Sequence, residues 1–244
     1  MRENRTVRLV LPLLFLVFVF AENALAQSTI FNVPTTDVVA KGKGYFEFDY
    51  LPQIPGPDNS DRLHIFTPRI VIGAGANIEA GSNVAFLHRA GNTSAFLQPN
   101  IKWRFAHNDK KGLAAAAGGI LYTPINNRQG VDTFGLIYGN FSKKVTTGNY
   151  GPRFTAGPYG VVSGGSSWVG PKAGAILGYE QPIHPKASIV ADWFSGKNGF
   201  GYFTPGISIT LPANGVFDAG YSLGNDSYNG IDNRFLFVYY GVTF

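Results

Sequence analysis

Cysteine is absent from the 244-residue sequence, so disulfides, thiolate metal sites and a cysteine nucleophile are excluded whatever the redox state of the compartment. Only four histidines occur, His64, His88, His107 and His184, and they form neither a His-x-His pair nor an HExxH segment. Their spacing therefore gives no support to a metal centre or cofactor site. Charged residues make up 14% of the chain and no basic block is found among them, which removes nucleic acid from the expected partners. Beyond the first twenty residues there is no long apolar run, and this argues against a bundle of transmembrane helices. No linker divides the chain, so one domain is expected.

What is present begins with an export signal. Arg2, Arg5 and Arg8 precede the apolar run Leu9 to Phe20, and Ala24-Leu25-Ala26 follows as a small-residue cleavage site. The run is twelve residues long, well short of the roughly 20 that a spanning helix needs, and Pro12 interrupts it. Residues 1–26 are therefore expected to be a cleaved secretory signal, leaving 218 residues. Three arginines and two glutamates leave with it, reducing the net charge from plus five to plus four.

Mean hydropathy is near zero, yet the chain holds 31 glycines, 20 phenylalanines and 12 tyrosines. This composition suits a closed sheet in a bilayer, where every backbone amide is satisfied by a neighbouring strand and only alternate residues need be apolar. Period-two alternation recurs in twelve segments between Gly, Asn, Asp, Ser and Pro clusters: 43–51, 63–73, 77–88, 95–106, 113–123 and 133–145, then 152–164, 168–180, 186–196, 201–211, 216–225 and 234–244. The clearest is 97–105, where Leu97, Pro99, Ile101, Trp103 and Phe105 share one face and Gln98, Asn100, Lys102 and Arg104 the other. In 202–211, Phe203, Pro205, Ile207, Ile209 and Leu211 likewise oppose Tyr202, Thr204, Gly206, Ser208 and Thr210. The expected fold is all-β, a single antiparallel up-and-down transmembrane barrel of twelve strands, or ten or fourteen if a segment is merged or split. Pro99, Pro158 and Pro205 cannot donate to a ladder and predict bulges or irregular pairing. The odd-numbered connections, such as 52–62, 124–132 and 226–233, are longer than turns such as 74–76, 108–112 and 212–215. This fits both chain ends lying in the periplasm.

The final segment places Leu236, Val238, Tyr240, Val242 and Phe244 at alternate positions. It resembles the terminal signature of Gram-negative outer-membrane barrels. That resemblance implies an outer-membrane location, contact with its lipid and lipopolysaccharide, and recognition of Phe244 by the barrel-assembly machinery. The stretch Val33-Pro34-Thr35-Thr36-Asp37, followed by Lys41-Gly42-Lys43-Gly44, resembles the opening of small outer-membrane transporter barrels, some linked to aromatic degradation. It leaves the substrate open.

With the more apolar face outward, the inward set includes Glu47, Asp49, Arg69, Glu79, Asn83, Lys102, Arg104, Arg153, Lys172, Glu180, Asp192 and Asp218. Unpaired charges in a narrow lumen are costly, so these must pair or meet water, and bracing of the wall is expected of most. Strand spacing of about 4.8 Å and a tilt of about 40° give a backbone radius of about 12 Å. Phe235, Phe237 and Tyr239 should point inward if Phe244 points out. They could line a path for an apolar or aromatic solute, or pack on the amino-terminal segment 27–42, which is either periplasmic or folded into the lumen as a plug ahead of the barrel at 43–244. Packing is favoured.

The expected function is a passive outer-membrane channel or transporter for small solutes through a narrow charged lumen. A closed structural or surface-interaction barrel is the alternative. A lipid-modifying enzyme, using His64 or His88 at the rim with Ser60 or Ser94, lacks a nucleophile elbow, and no enzyme activity is expected. Asp218, Asp226 and Asp232 do not have calcium-loop spacing. Asn225-Asp226, Asn229-Gly230, Gly73-Ala74-Gly75 and Gly164-Gly165 are read as turns.

Overall fold

A computed structural model describes residues 28–54, 61–126, 128–146, 148–163, 165–225 and 233–244. The expected signal 1–26, Gln27, Ser60, Gly164, Asp226, Asn229, Gly230 and Asp232 lie outside the described residues. Twelve antiparallel strands follow one another: β1 (Gly44–Pro52), β2 (His64–Gly75), β3 (Ile78–Arg89), β4 (Asn92–Asn108), β5 (Leu113–Asn126) and β6 (Phe134–Lys144), then β7 (Arg153–Ser163), β8 (Ala173–His184), β9 (Ala187–Phe194), β10 (Tyr202–Leu211), β11 (Gly215–Gly224) and β12 (Arg234–Thr243). Each pairs with its neighbours in sequence, and β12 pairs with β1, so the sheet closes without an edge.

Alternation becomes a two-faced wall. Ile101, Trp103 and Phe105 on β4 are each more than half exposed, whereas Lys102 between them is 2% exposed. On β12, Leu236 and Tyr240 face out, as does Phe244 just beyond it, while Phe235, Phe237 and Tyr239 are buried inside. The apolar exterior is the band that meets hydrocarbon in a transmembrane barrel.

At the prolines the pairing is irregular, as expected, but none of the three forms a bulge. Pro99 pairs in register with Ser82, Pro158 with Ala175 and Pro205 with Ala191. Each leaves a gap in the pairing with the strand on its other side without shifting the register there. Proline removes one donor, and a closed sheet held by pairs above and below tolerates that local loss. Register shifts fall instead at Gly73/Gly75, Ala95/Phe96, Trp103/Ala106 and Pro182/His184.

The eighth strand is the largest displacement from the sequence reading. It runs from Ala173 to His184 and not from 168 to 180, because Trp168 leaves the wall to pack on Phe134 and Phe200. Lys172, counted among the inward residues, consequently lies ahead of the strand and is exposed.

The chain ends share one end of the barrel, where Gly44 and Phe244 exchange both backbone hydrogen bonds at 2.9 Å; this is the terminal end and the opposite one the loop end. Three of the tight connections share one backbone geometry. Ala76-Asn77, Ala90-Gly91 and Ala213-Asn214 all have positive φ, the paired left-handed geometry whose twist matches adjoining strands. The β3–β4 turn at Ala90-Gly91 is thus a short exception among the loop-end connections.

Candidate functional site: a plugged lumen below an outer vestibule

The segment ahead of β1 is inside the barrel. Residues 28–35 form a small hairpin in which Ile30 N–H donates to the Val33 carbonyl and Thr35 N–H to the Ser28 carbonyl, at 2.9 and 3.0 Å. Ser28, Ile30, Val33, Thr35 and Thr36 are almost completely buried. A backbone placed in a lumen must find partners for its amides, and the wall supplies them. Asp192 Oδ2 on β9 accepts from Asn32 N–H and Val33 N–H at 2.6 and 2.8 Å. Lys102 Nζ on β4 donates to the Ser28 carbonyl at 2.9 Å. Arg69 on β2 donates to Ser28 Oγ, and Asn140 on β6 to the Pro34 carbonyl. Thr36 and Ser142 join hydroxyls at 2.6 Å, and Glu79 accepts from Val39 N–H at 2.9 Å.

The apolar side of the hairpin uses gaps left by glycine. A Cβ on Gly206 or Gly220 would stand 2.4 or 2.6 Å from the Phe31 ring, and one on Gly178 2.8 Å from Ile30. Phe31 also meets Phe237 edge-on, with centroids 5.2 Å apart. Where the segment leaves the lumen, Ala40 crosses so close to β2 that a Cβ on Gly73 would lie 2.0 Å from the Ala40 carbonyl oxygen. Phe31→Ala should therefore release the hairpin by emptying its best-packed pocket, at a cost of about 3–5 kcal/mol to docking. The expected result is faster trypsin cleavage at Lys41 and Lys43 of the folded protein; an unchanged rate would show that packing does not hold the segment.

The inward charges are arranged as cross-strand pairs. Glu47 faces Arg69, Glu79 faces Lys102 and Arg153 faces Glu180 across adjacent strands. Arg69 lies 3.3 Å from Glu47 and 3.9 Å from Glu79, and Lys102 lies 3.1 Å from Glu79. Tyr45 donates to Glu47 Oε2 at 2.8 Å. Arg153 bridges Glu180 and Asp37, tying the plug's exit to β7 and β8. Burial alone would raise the Asp37 carboxyl, but the charge and hydrogen bond of Arg153 outweigh it and hold the group below the ordinary carboxylate range. Asp218 is buried beside Tyr239 of the neighbouring strand, and Asp49 faces the cavity above Glu47. Arg104 stands apart near the terminal end, where it donates to Asn77 Oδ1 at 3.3 Å.

Beyond the plug, toward the loop end, a cavity of about 640 Å³ remains. Ser28, Phe31, Arg69 and Lys102 belong to its floor, and the exposed Gln129 and Val169 to its mouth. One wall is polar: Asn83 Nδ2 donates to Gln98 Oε1 at 3.3 Å, Asn100 Nδ2 to Asn83 Oδ1 at 3.1 Å, and Arg89 Nη2 to Gln53 Oε1 at 2.7 Å. The other is aromatic. Tyr122 and Phe134 stack at 4.6 Å between centroids, and Trp168 and Phe200 pack on Phe134 at 5.2 and 6.1 Å.

Neither Arg89 nor this aromatic wall figured in the sequence reading. Arg89 shares the odd-numbered inward face of β3 with Glu79 and Asn83, so its parity was legible; Trp168 and Phe200 come from connections, where alternation carries no information. The rim histidines form no catalytic arrangement with Ser94. His64 Nδ1 is 2.9 Å from the Tyr50 hydroxyl and His88 Nδ1 2.9 Å from Thr93 Oγ1. Among the described residues no group of three His, Asp or Glu side chains could hold a metal ion.

No protein family's sequence pattern matches the chain, and no curated relative matches it either. Solved structures do match in fold. A KdgM porin in complex with disordered oligogalacturonate superposes with a TM-score of 0.54 at 12% identity, covering 82% of this chain and 99% of the porin. The COG4313 outer membrane channel from Pseudomonas putida F1 gives 0.55 at 13% identity, covering 85% and 96%. The chain shares the fold of these two proteins.

Proposed function

We propose that this chain is an outer-membrane channel for passive passage of small solutes, shut in the present conformation by its own amino-terminal segment. The observation that carries the reading is the division of the lumen: the loop-end half is an unfilled cavity of about 640 Å³, and the terminal half is filled by a hairpin and not by wall side chains alone. The hairpin is held by side-chain hydrogen bonds and packing and is not paired into the ladder of the wall, so it can leave the bore without opening the sheet. In this reading the chain is exported by its amino-terminal signal, the loop end faces outward into lipopolysaccharide and the terminal end faces the periplasm. Phe244, exposed at the end of β12, serves as the assembly signal. The likeness to the porin and the channel supports the assignment through shared fold.

Opening requires the hairpin to leave Asp192. That carboxylate is buried, and it accepts two backbone amides; charge-assisted bonds of this kind contribute about 1.5–3 kcal/mol each. In planar bilayers the refolded chain 27–244 should show long closures with short conducting steps. Asp192→Ala should raise the open fraction by about tenfold or more. Folded barrels of both proteins that insert and never conduct would leave the closed structural barrel as the function.

A further inference from the structure

We propose that the loop-end cavity is a binding site for a small aromatic monoanion, its carboxylate held by Arg89 and its ring laid on the wall formed by Tyr122, Phe134, Trp168 and Phe200. The proposal takes the cavity as the outer vestibule of the channel and so rests on that reading for its role in uptake.

Arg89 differs from the paired cations of the wall and, unlike Arg104, whose acceptor Asn77 lies near the terminal end, it lines the loop-end cavity. Arg69, Lys102 and Arg153 each lie within ion-pair distance of a carboxylate, whereas the Arg89 guanidinium has Gln53 Oε1 as its hydrogen-bond acceptor and its Nε is buried without one. A half-buried guanidinium turned toward a cavity, with part of its donor set unused, is suited to a planar two-oxygen anion. The charge pattern fixes which end of the ligand lies where. Glu47 and Asp49 line the same cavity toward its floor, and Arg89 stands ten residues along β3 from Glu79, roughly 30 Å of strand. At the floor Arg69 and Lys102 are already paired with Glu47 and Glu79, whereas Arg89 at the rim has an amide oxygen and no carboxylate, so an anion is drawn to the rim.

The ring is recognised by a different set of contacts. Tyr122, Phe134, Trp168 and Phe200 touch one another yet are only partly buried, so the cluster keeps an open face. All four line the cavity together with Arg89. A volume of about 640 Å³ falls within the roughly 300–1,000 Å³ of small-molecule pockets, and convergence of an aromatic surface with a few polar groups is their usual composition. Aliphatic solutes would lose the stacking, and neutral ones would leave Arg89 unpaired.

Benzoate is the probe. Its binding to the refolded chain 27–244 in detergent micelles is read by equilibrium dialysis against empty micelles, with acetate and benzyl alcohol as competitors. Saturable binding of benzoate is expected, with both competitors much weaker. Arg89→Gln should weaken it by about tenfold or more, Arg89→Lys should retain part of it, and Phe134→Leu, on the opposite wall, should weaken it independently. Retained heat-modifiable mobility identifies the folded variants. Absence of saturable binding overturns the proposal, as does equal binding by Arg89→Gln, by benzyl alcohol or by acetate. Dialysis needs no flux, so benzoate binding by a barrel that never conducts would refute the channel and leave the site, and conduction without benzoate binding would do the reverse.

Discussion

A chain that begins at Lys41, lacking the hairpin and the segment that carries it, should conduct steadily where the chain from 27 opens only in short steps, and its unitary conductance should be several times larger. The wall does not depend on the missing residues for its ladder: their pairing with a strand is confined to the bridge between Lys41 and Gly73, which this truncation keeps. Glu47, Arg69, Glu79 and Lys102 remain paired with one another, and water entering the bore replaces the hairpin amides at Asp192. The polar groups now satisfied by the plug therefore become the lining of a water path, at little cost to closure. Planar-bilayer recording with the truncated barrel supplies the measurement. A folded, inserted barrel with the same conductance as the longer chain would mean that the wall's own side chains close the bore, and Val33 and Phe31 would then be stabilising residues with no part in gating.

Lys102→Met should be the most destabilising single change in the wall. Lys102 and Glu79 are directly opposite each other on β3 and β4, nearly inaccessible to solvent, with Nζ 3.1 Å from the carboxylate. Methionine keeps most of the volume and removes the charge, leaving Glu79 to Arg69 at 3.9 Å and to the Val39 amide; the Ser28 carbonyl loses its donor. Removing one member of a buried pair costs about 3–5 kcal/mol, mostly as the penalty of the charge left behind. The urea midpoint for unfolding from lipid vesicles should fall accordingly. Glu79→Gln in the same chain should recover part of the loss, because the stranded charge is then gone. An unshifted midpoint for Lys102→Met would show that Glu79 is solvated and that the network does not brace the barrel.

The two faces of β4 show why the wall was legible. Lipid on one side and an enclosed lumen on the other demand opposite chemistry at successive residues, so Trp103 and Lys102 announce their directions without any knowledge of their neighbours. The same parity foretold that Phe235, Phe237 and Tyr239 point inward, and it placed Glu47, Arg69, Glu79, Arg153 and Glu180 on the lumen side. It failed for Lys172. Parity counts from a strand's start, and that start moved when Trp168 was drawn to Phe134 and Phe200. At Pro99, Pro158 and Pro205 the expected irregularity took the form of a gap and not a bulge, for a related reason. A missing donor is a local fact, but register is set by the whole length of a paired strand on both sides.

By itself the sequence indicated an all-β barrel of twelve strands, or ten or fourteen, together with the two opposed faces of strands such as β4 and β12 and both charge signs on the inward one. Those properties arise from local periodicity against two contrasting environments. Only the tertiary structure decided that residues 28–40 lie within the bore, that Asp192 holds their amides, that Phe31 fits over Gly206 and Gly220, and that Arg89 shares a cavity with Trp168 and Phe200. These contacts join residues as much as about 190 positions apart in the chain, and they depend on closure of the sheet, which brings β1 beside β12 and encloses a volume that no single strand can specify.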